Sequence, residues 1–164
     1  MNRQLDHSQF RSNRQNLDLV LICDGVQSPA NIGSIFRLCD AFGVKKVYFS
    51  AAVDTSSGRF RKTARSTYGW VSYQDLADSL ATVRHYKEQH YAVIALEITE
   101  NSLPLQEFRT KQPLCLLIGS EIHGISQALL EETDHTVHIP LFGQNSSMNV
   151  AQATAVLLYE LSKS

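Results

Sequence analysis

Three runs in this chain are almost unbroken in apolar residues: Leu17–Val26 (LDLVLICDGV), Tyr91–Ile98 (YAVIALEI) and Leu114–Gly119 (LCLLIG). Such runs mark strands buried on both faces, as in a parallel sheet covered by helices. Shorter strands are expected at Lys46–Ser50, Val71–Gln74 and Thr136–Leu141. Between them the apolar period changes to that of a helix. Ser28-Pro29 supplies a cap and a proline at the first helical position, so Ala30–Phe42 reads as a helix with Ile32, Ile35, Phe36 and Leu38 inward and Gly43 as its stop. Asp75–Gln89 reads as a second helix, capped near Asp75 and carrying Leu76, Leu80, Val83 and Tyr86 on one face. Ser126–Glu132 is a short helix. Met148–Ser162 closes the chain, capped by Ser146 or Ser147, with Val150, Ala153, Leu157 and Leu161 on one side. The polar stretch 51–68 reads as a surface loop with at most one helical turn.

Strands alternating with helices give an α/β fold, a parallel sheet with helices on both faces. Residues 17–164 are expected to form one domain, preceded by a basic N-terminal arm, residues 1–16, with Leu5 and Phe10 as its large apolar side chains.

Bulk properties narrow the function. A chain of 164 residues that is 43% hydrophobic supports a substantial core. No apolar run approaches the ~20 residues needed to span a bilayer, and the first residues start no secretory signal, so a cytoplasmic protein is expected. Cys23, Cys39 and Cys115 lack ligand spacing and sit in apolar stretches, as buried reduced thiols do. His135 and His138 flank one strand without a third ligand, and no metal is expected. The net charge of −1 argues against indiscriminate polyanion binding. Its distribution does not, since Arg59, Arg61, Lys62 and Arg65 crowd one segment and Arg3, Arg11 and Arg14 another.

Three polar segments stand where apolar strands run out, the usual place for ligands in α/β proteins. They are Asn31–Arg37 (NIGSIFR), Gly119–Gly124 (GSEIHG), and Ile139–Gly143 (IPLFG) running into Ser146–Ala151 (SSMNVA). Taken singly each has an ordinary reading: a cap and a solvated arginine, a glycine turn with an outward Glu, a helix start. In this order and spacing they resemble the three motifs of the SPOUT-class RNA ribose 2′-O-methyltransferases of the TrmH type, a resemblance that covers Leu17 to the C-terminus.

The resemblance implies a SPOUT-type fold with a C-terminal trefoil knot, which no patterning rule would propose. It implies S-adenosylmethionine as cofactor, tRNA or rRNA as substrate, and a homodimer whose site is shared between subunits. On it, Asn31, Arg37, Glu121, Ser147 and Asn149 are the catalytic candidates. Leu96, Glu97, Ile118, Gly119, Gly124, Ile139, Leu141 and Met148 are the cofactor candidates. Met148 stands where the family typically has Leu, a volume-conserving change. In an RNA enzyme, Arg59, Arg61, Lys62 and Arg65, interleaved with Phe60, become candidates for RNA phosphate contacts.

The family's arginine is proposed there as a base. Neutralising a guanidinium of pKa above about 12 near pH 7 costs roughly 7 kcal/mol, and a nearby phosphate raises that cost. A cationic clamp on phosphate and developing alkoxide is the alternative for Arg37. Other classes remain: a SPOUT base methyltransferase, disfavoured by the pairing of Asn31 and Arg37 with Ser147 and Asn149, and a non-catalytic RNA-binding module, disfavoured by intact polar motifs. A flavodoxin-like binder lacks its glycine-rich loop after the first strand.

Overall fold

The computed structural model describes residues 3, 4, 6 and 17–163. Seven strands and five helices follow among these residues: β1 (Leu17–Asp24), α1 (Pro29–Phe42), β2 (Val44–Phe49), α2 (Gly58–Ala64), β3 (Tyr73–Asp75), α3 (Ser79–Glu88), β4 (Ala92–Leu96), β5 (Leu103–Pro104), β6 (Leu114–Gly119), α4 (Gln127–Leu130), β7 (His135–His138) and α5 (Val150–Leu161). The sheet order is β3-β2-β1-β6-β4-β7-β5, and every pairing is parallel. The expected α/β architecture is therefore present. The N-terminal arm, with Arg11 and Arg14, lies outside the described residues apart from Arg3, Gln4 and Asp6.

The doubly apolar strands do what their composition requires. From β1, Leu19, Leu21 and Cys23 face a core shared with Ile35 and Phe36 of α1, Phe60 of α2 and Leu157 of α5. Val20 and Ile22 face the opposite core, with Val83 and Tyr86 of α3 and Leu129 of α4. Both faces being covered, alternation disappears from the sequence. The three cysteines are free and buried. Burial pushes the Cys115 thiol up to about 12 and holds Cys23 and Cys39 well above the usual thiol range.

Several boundaries differ from the sequence reading, each for a local reason. The stretch 51–68 contains a real helix, α2, in which Phe60 and Ala64 stand one turn apart and are fully buried. Phe60 packs edge-on to Phe36 at 5.4 Å. Close approach of the two helices requires Gly33, because a Cβ there would meet the Phe60 carbonyl oxygen and the Ala64 nitrogen at 2.8 Å. Tertiary contact, which a window of polar residues conceals, makes this helix. The α3 cap is Asp78, whose carboxylate accepts from Ala81 N–H at 2.9 Å. Asp75 is instead held in β3 opposite Phe49.

The final strand ends at His138, so Ile139–Leu141 is irregular chain, and α5 starts two residues later than expected. Its cap is Asn149, not Ser146 or Ser147: the Asn149 Oδ1 accepts from Ala151 N–H (3.0 Å) and Gln152 N–H (3.3 Å). The short edge strand β5 carries too little pattern to be foreseen. At the first helix, Ser28 occupies the cap position and Pro29 the first turn, yet the serine hydroxyl makes no capping bond.

Candidate active site

At the carboxyl ends of β4, β6 and β7 lies a cleft of about 340 Å³, within the range of small-molecule sites. All eight cofactor candidates line it: Leu96 and Glu97 after β4, Ile118, Gly119 and Gly124 around β6, and Ile139, Leu141 and Met148 after β7. Glu121, Ser147 and Asn149 line it as well. Sequence reasoning missed Ser120, Ser146, Ile98, His138, Val150 and Ala153 on its wall. Most of these are immediate neighbours of motif residues. The signal for them was adjacency rather than residue type.

The loop after β6 folds back on itself. Ser120 and Gly124 exchange backbone hydrogen bonds at 3.2 and 2.9 Å. A Cβ on Gly119 would overlap the Gly124–Ile125 backbone, and Gly124 adopts φ +63°. Both glycines thus serve the closure of the loop itself. Two carboxylates from other strands pin its far end: Glu97 Oε2 accepts from Ile125 N–H at 3.2 Å and Asp24 Oδ2 from Ser126 N–H at 2.8 Å.

This closure holds Glu121 against residues from two other motifs. Asn31 Nδ2 donates to Glu121 Oε1 at 2.6 Å. Asn149 Nδ2 donates to the same oxygen at 2.9 Å and to Asn31 Oδ1 at 3.1 Å. Asn149 is thereby oriented from both ends. Its oxygen caps α5 and its nitrogen bridges the two other motif residues. Residues 31, 121 and 149, distant in sequence, form one hydrogen-bonded cluster at the rim of the cleft.

Arg37 is not part of it. Six residues along a helix is about 9 Å of rise and a rotation that leaves the two side chains about 120° apart. Asn31 points to the cluster, while Arg37 is exposed on α1. Arg59, Arg61 and Lys62 are exposed along α2, where the buried Phe60 and Ala64 leave them the solvent side. Arg65 follows in a left-handed conformation, φ +54°.

The charge of the cleft is informative. Its lining includes two carboxylates, Glu97 and Glu121, and no Lys or Arg. Apolar walls from Leu96, Ile118, Ile139, Leu141 and Met148 suit a planar base, and the carboxylates suit a cation. A nucleoside sulfonium fits such a donor and charge set better than a free phosphate does. His138 Nδ1 lies 3.0 Å from the Ser102 hydroxyl and His135 packs on Phe108. No cluster of three metal-ligating side chains occurs among the described residues.

The cleft thus has the lining of a site for a nucleoside that carries positive charge. Residues 18–159 match the family model described as the SpoU rRNA Methylase family. The chain is 32% identical over 149 residues to the tRNA (guanosine(18)-2′-O)-methyltransferase of Thermus thermophilus, covering 90% of this chain and 75% of that one. Among solved structures, the TrmH/SpoU tRNA modifying enzyme of A. aeolicus superposes with a TM-score of 0.81 at 25% identity, covering 91% of this chain and 76% of the other. The SpoU methyltransferase AviRb of Streptomyces viridochromogenes, solved with AdoMet, gives 0.78 at 25% identity over 96% and 64%. The chain belongs to the SpoU rRNA Methylase family. It is an S-adenosylmethionine-dependent RNA methyltransferase.

Proposed function

We propose that the protein methylates the 2′-hydroxyl of a ribose in tRNA or rRNA, in the cytoplasm and as a homodimer with composite sites. The observation that carries this reading is the Asn31–Glu121–Asn149 cluster at the mouth of an acidic, nucleoside-sized cleft. When bound there, S-adenosylmethionine supplies the methyl group as an electrophilic sulfonium. Glu97, Gly119, Gly124, Ile139, Leu141 and Met148 hold it, with Leu96 and Ile118 as apolar wall. The Asn31 and Asn149 amides position the target ribose, and Glu121 fixes both amides. Ser147, exposed on the same rim, adds a hydroxyl toward the ribose.

Arg37 acts as the cationic clamp of this reading. Its place on α1, turned away from the cluster of its own chain, supports a site in which it serves the cleft of a second copy. The outward side chains Val156 and Tyr159 of α5, 41% and 58% exposed, offer an apolar contact for that copy. Residues 59–65 hold the RNA backbone electrostatically.

We also read the C-terminal region as the trefoil knot of SPOUT proteins. In support, β6 lies between β1 and β4 although it follows β5 in the chain. The loops after β6 and β7 then meet at one cleft before α5 packs against α1. Mass mapping of 2′-O-methylated nucleotides in tRNA and rRNA from cells with and without the gene tests the function. Loss of one ribose methylation supports it, and loss of a base methylation instead overturns it.

A further inference from the structure

The Glu97 carboxylate is fixed at the cleft wall with half of its acceptor capacity unused. Oε1 accepts from Ile98 N–H at 3.0 Å and Oε2 from Ile125 N–H at 3.2 Å. An ionised carboxylate offers about four acceptor sites, so each oxygen keeps one. Glu97 makes no ion pair among the described residues, and it lines the cleft. Gly124 is shaped to it, because a Cβ there would stand 2.5 Å from Oε2. A glycine on one loop thus makes room for a carboxylate from another strand, and the carboxylate holds that loop by its backbone.

An acceptor pair held rigidly beside an apolar slot has the form of a ribose site. Vicinal hydroxyls each donate one hydrogen bond, and a carboxylate whose rotation is locked by backbone amides receives both without further ordering. Acidic side chains serve ribose hydroxyls in this way on unrelated dinucleotide folds. We propose that Glu97 is the acceptor for the ribose hydroxyls of the bound cofactor, and so fixes the selectivity of the cleft for a ribonucleoside. The proposal rests on the cofactor reading above. It adds a link between the two ligands' residues, because the group that takes the cofactor ribose also anchors the loop carrying Glu121.

Calorimetry with S-adenosylhomocysteine and its 2′-deoxy and 3′-deoxy forms tests this on the intact protein. Wild type is expected to bind at least one deoxy form about tenfold or more weakly than the parent, the loss typical of a hydrogen bond to a charged group. In Glu97→Ala the parent compound weakens by a similar factor, and the parent-to-deoxy ratio collapses toward one. A purely structural role for Glu97 weakens all three ligands alike and keeps the ratio, which overturns the proposal. A wild-type ratio near one for both deoxy forms overturns it without any variant and leaves the cofactor reading standing. Failure of wild type to bind S-adenosylhomocysteine at all overturns both.

Discussion

The cleft and the outer surface of α1 and α2 carry opposite charge and have opposite relations to the rest of the chain. The cleft is acidic, assembled from three loops and tied together by Asn31, Glu121 and Asn149. The helical surface displays Arg37, Arg59, Arg61, Lys62 and Arg65, all exposed. A site that must receive a cationic cofactor and a polyanionic RNA gains by separating the two fields, since each would weaken the other's ligand at close range. The reaction nevertheless requires them to meet. Under the proposed composite site, a helix that holds Asn31 at the cleft rim and turns Arg37 elsewhere brings the two together when a second copy supplies the arginine.

Arg37→Ala is the most damaging way to probe this separation. Activity should fall by at least about 100-fold, the scale seen when one donor to developing charge is removed. Calorimetry should find cofactor affinity within about twofold of wild type. A large loss of cofactor affinity breaks the division between the two regions.

Mixing Arg37→Ala with Asn149→Ala sharpens the comparison further. In a symmetric dimer with composite sites, half of the randomised dimers are mixed and each holds one intact site, so about a quarter of wild-type activity should return. Formation of mixed dimers with no recovery shows that each subunit works alone.

Asn149 separates stability from chemistry on the cleft side. Asn149→Ala should lose the α5 cap, worth about 1 kcal/mol, and lower the melting temperature by about 2–4 °C. Asn149→Ser should recover most of that stability, since serine also caps, yet remain inactive because it lacks the amide donated to Glu121 and Asn31. Calorimetric melting and a methyl-transfer assay read the two effects.

Neutralising Arg59, Arg61, Lys62 and Arg65 together probes the basic side alone. For every phosphate no longer neutralised, the slope of log K against log salt should fall by about 0.7–0.9. The methylated nucleotide should not change, because such cations position the RNA without specifying its sequence. An unchanged slope makes α2 a solvated face.

A last effect lies away from both regions, in the core beneath them. The folded-state pKa of Cys115 is raised from 9.0 to about 12 by burial, so its stabilising contribution is complete below the unfolded value. That contribution is lost as pH rises through the interval between the two. Thermal stability should therefore decline above about pH 9, as the unfolded chain ionises first. Native alkylation at pH 8 should leave Cys23, Cys39 and Cys115 unmodified, with labelling only on denaturation.

Strands β1, β4 and β6, with α1 and α5, were legible in the sequence because long doubly apolar runs and one-sided helices have few other solutions. The motif residues were legible through their order and spacing. Their meeting at one carboxylate was not, because hydrogen bonds between residues 31, 121 and 149 depend on where loops end in space. The helix α2 was hidden for a related reason. Its composition is polar and basic, and its stability comes from burying Phe60 and Ala64 against Gly33, a packing that no local window contains. Asn149 as a cap, in place of the serines further upstream, has the same kind of cause, since Glu121 and Asn31 hold the amide that aims its oxygen at α5. Local periodicity determines which segments become strands and helices, since it fixes which faces must leave water. The tertiary structure decided which polar atoms face one another, and through that the separation of an acidic cleft from a basic helical surface.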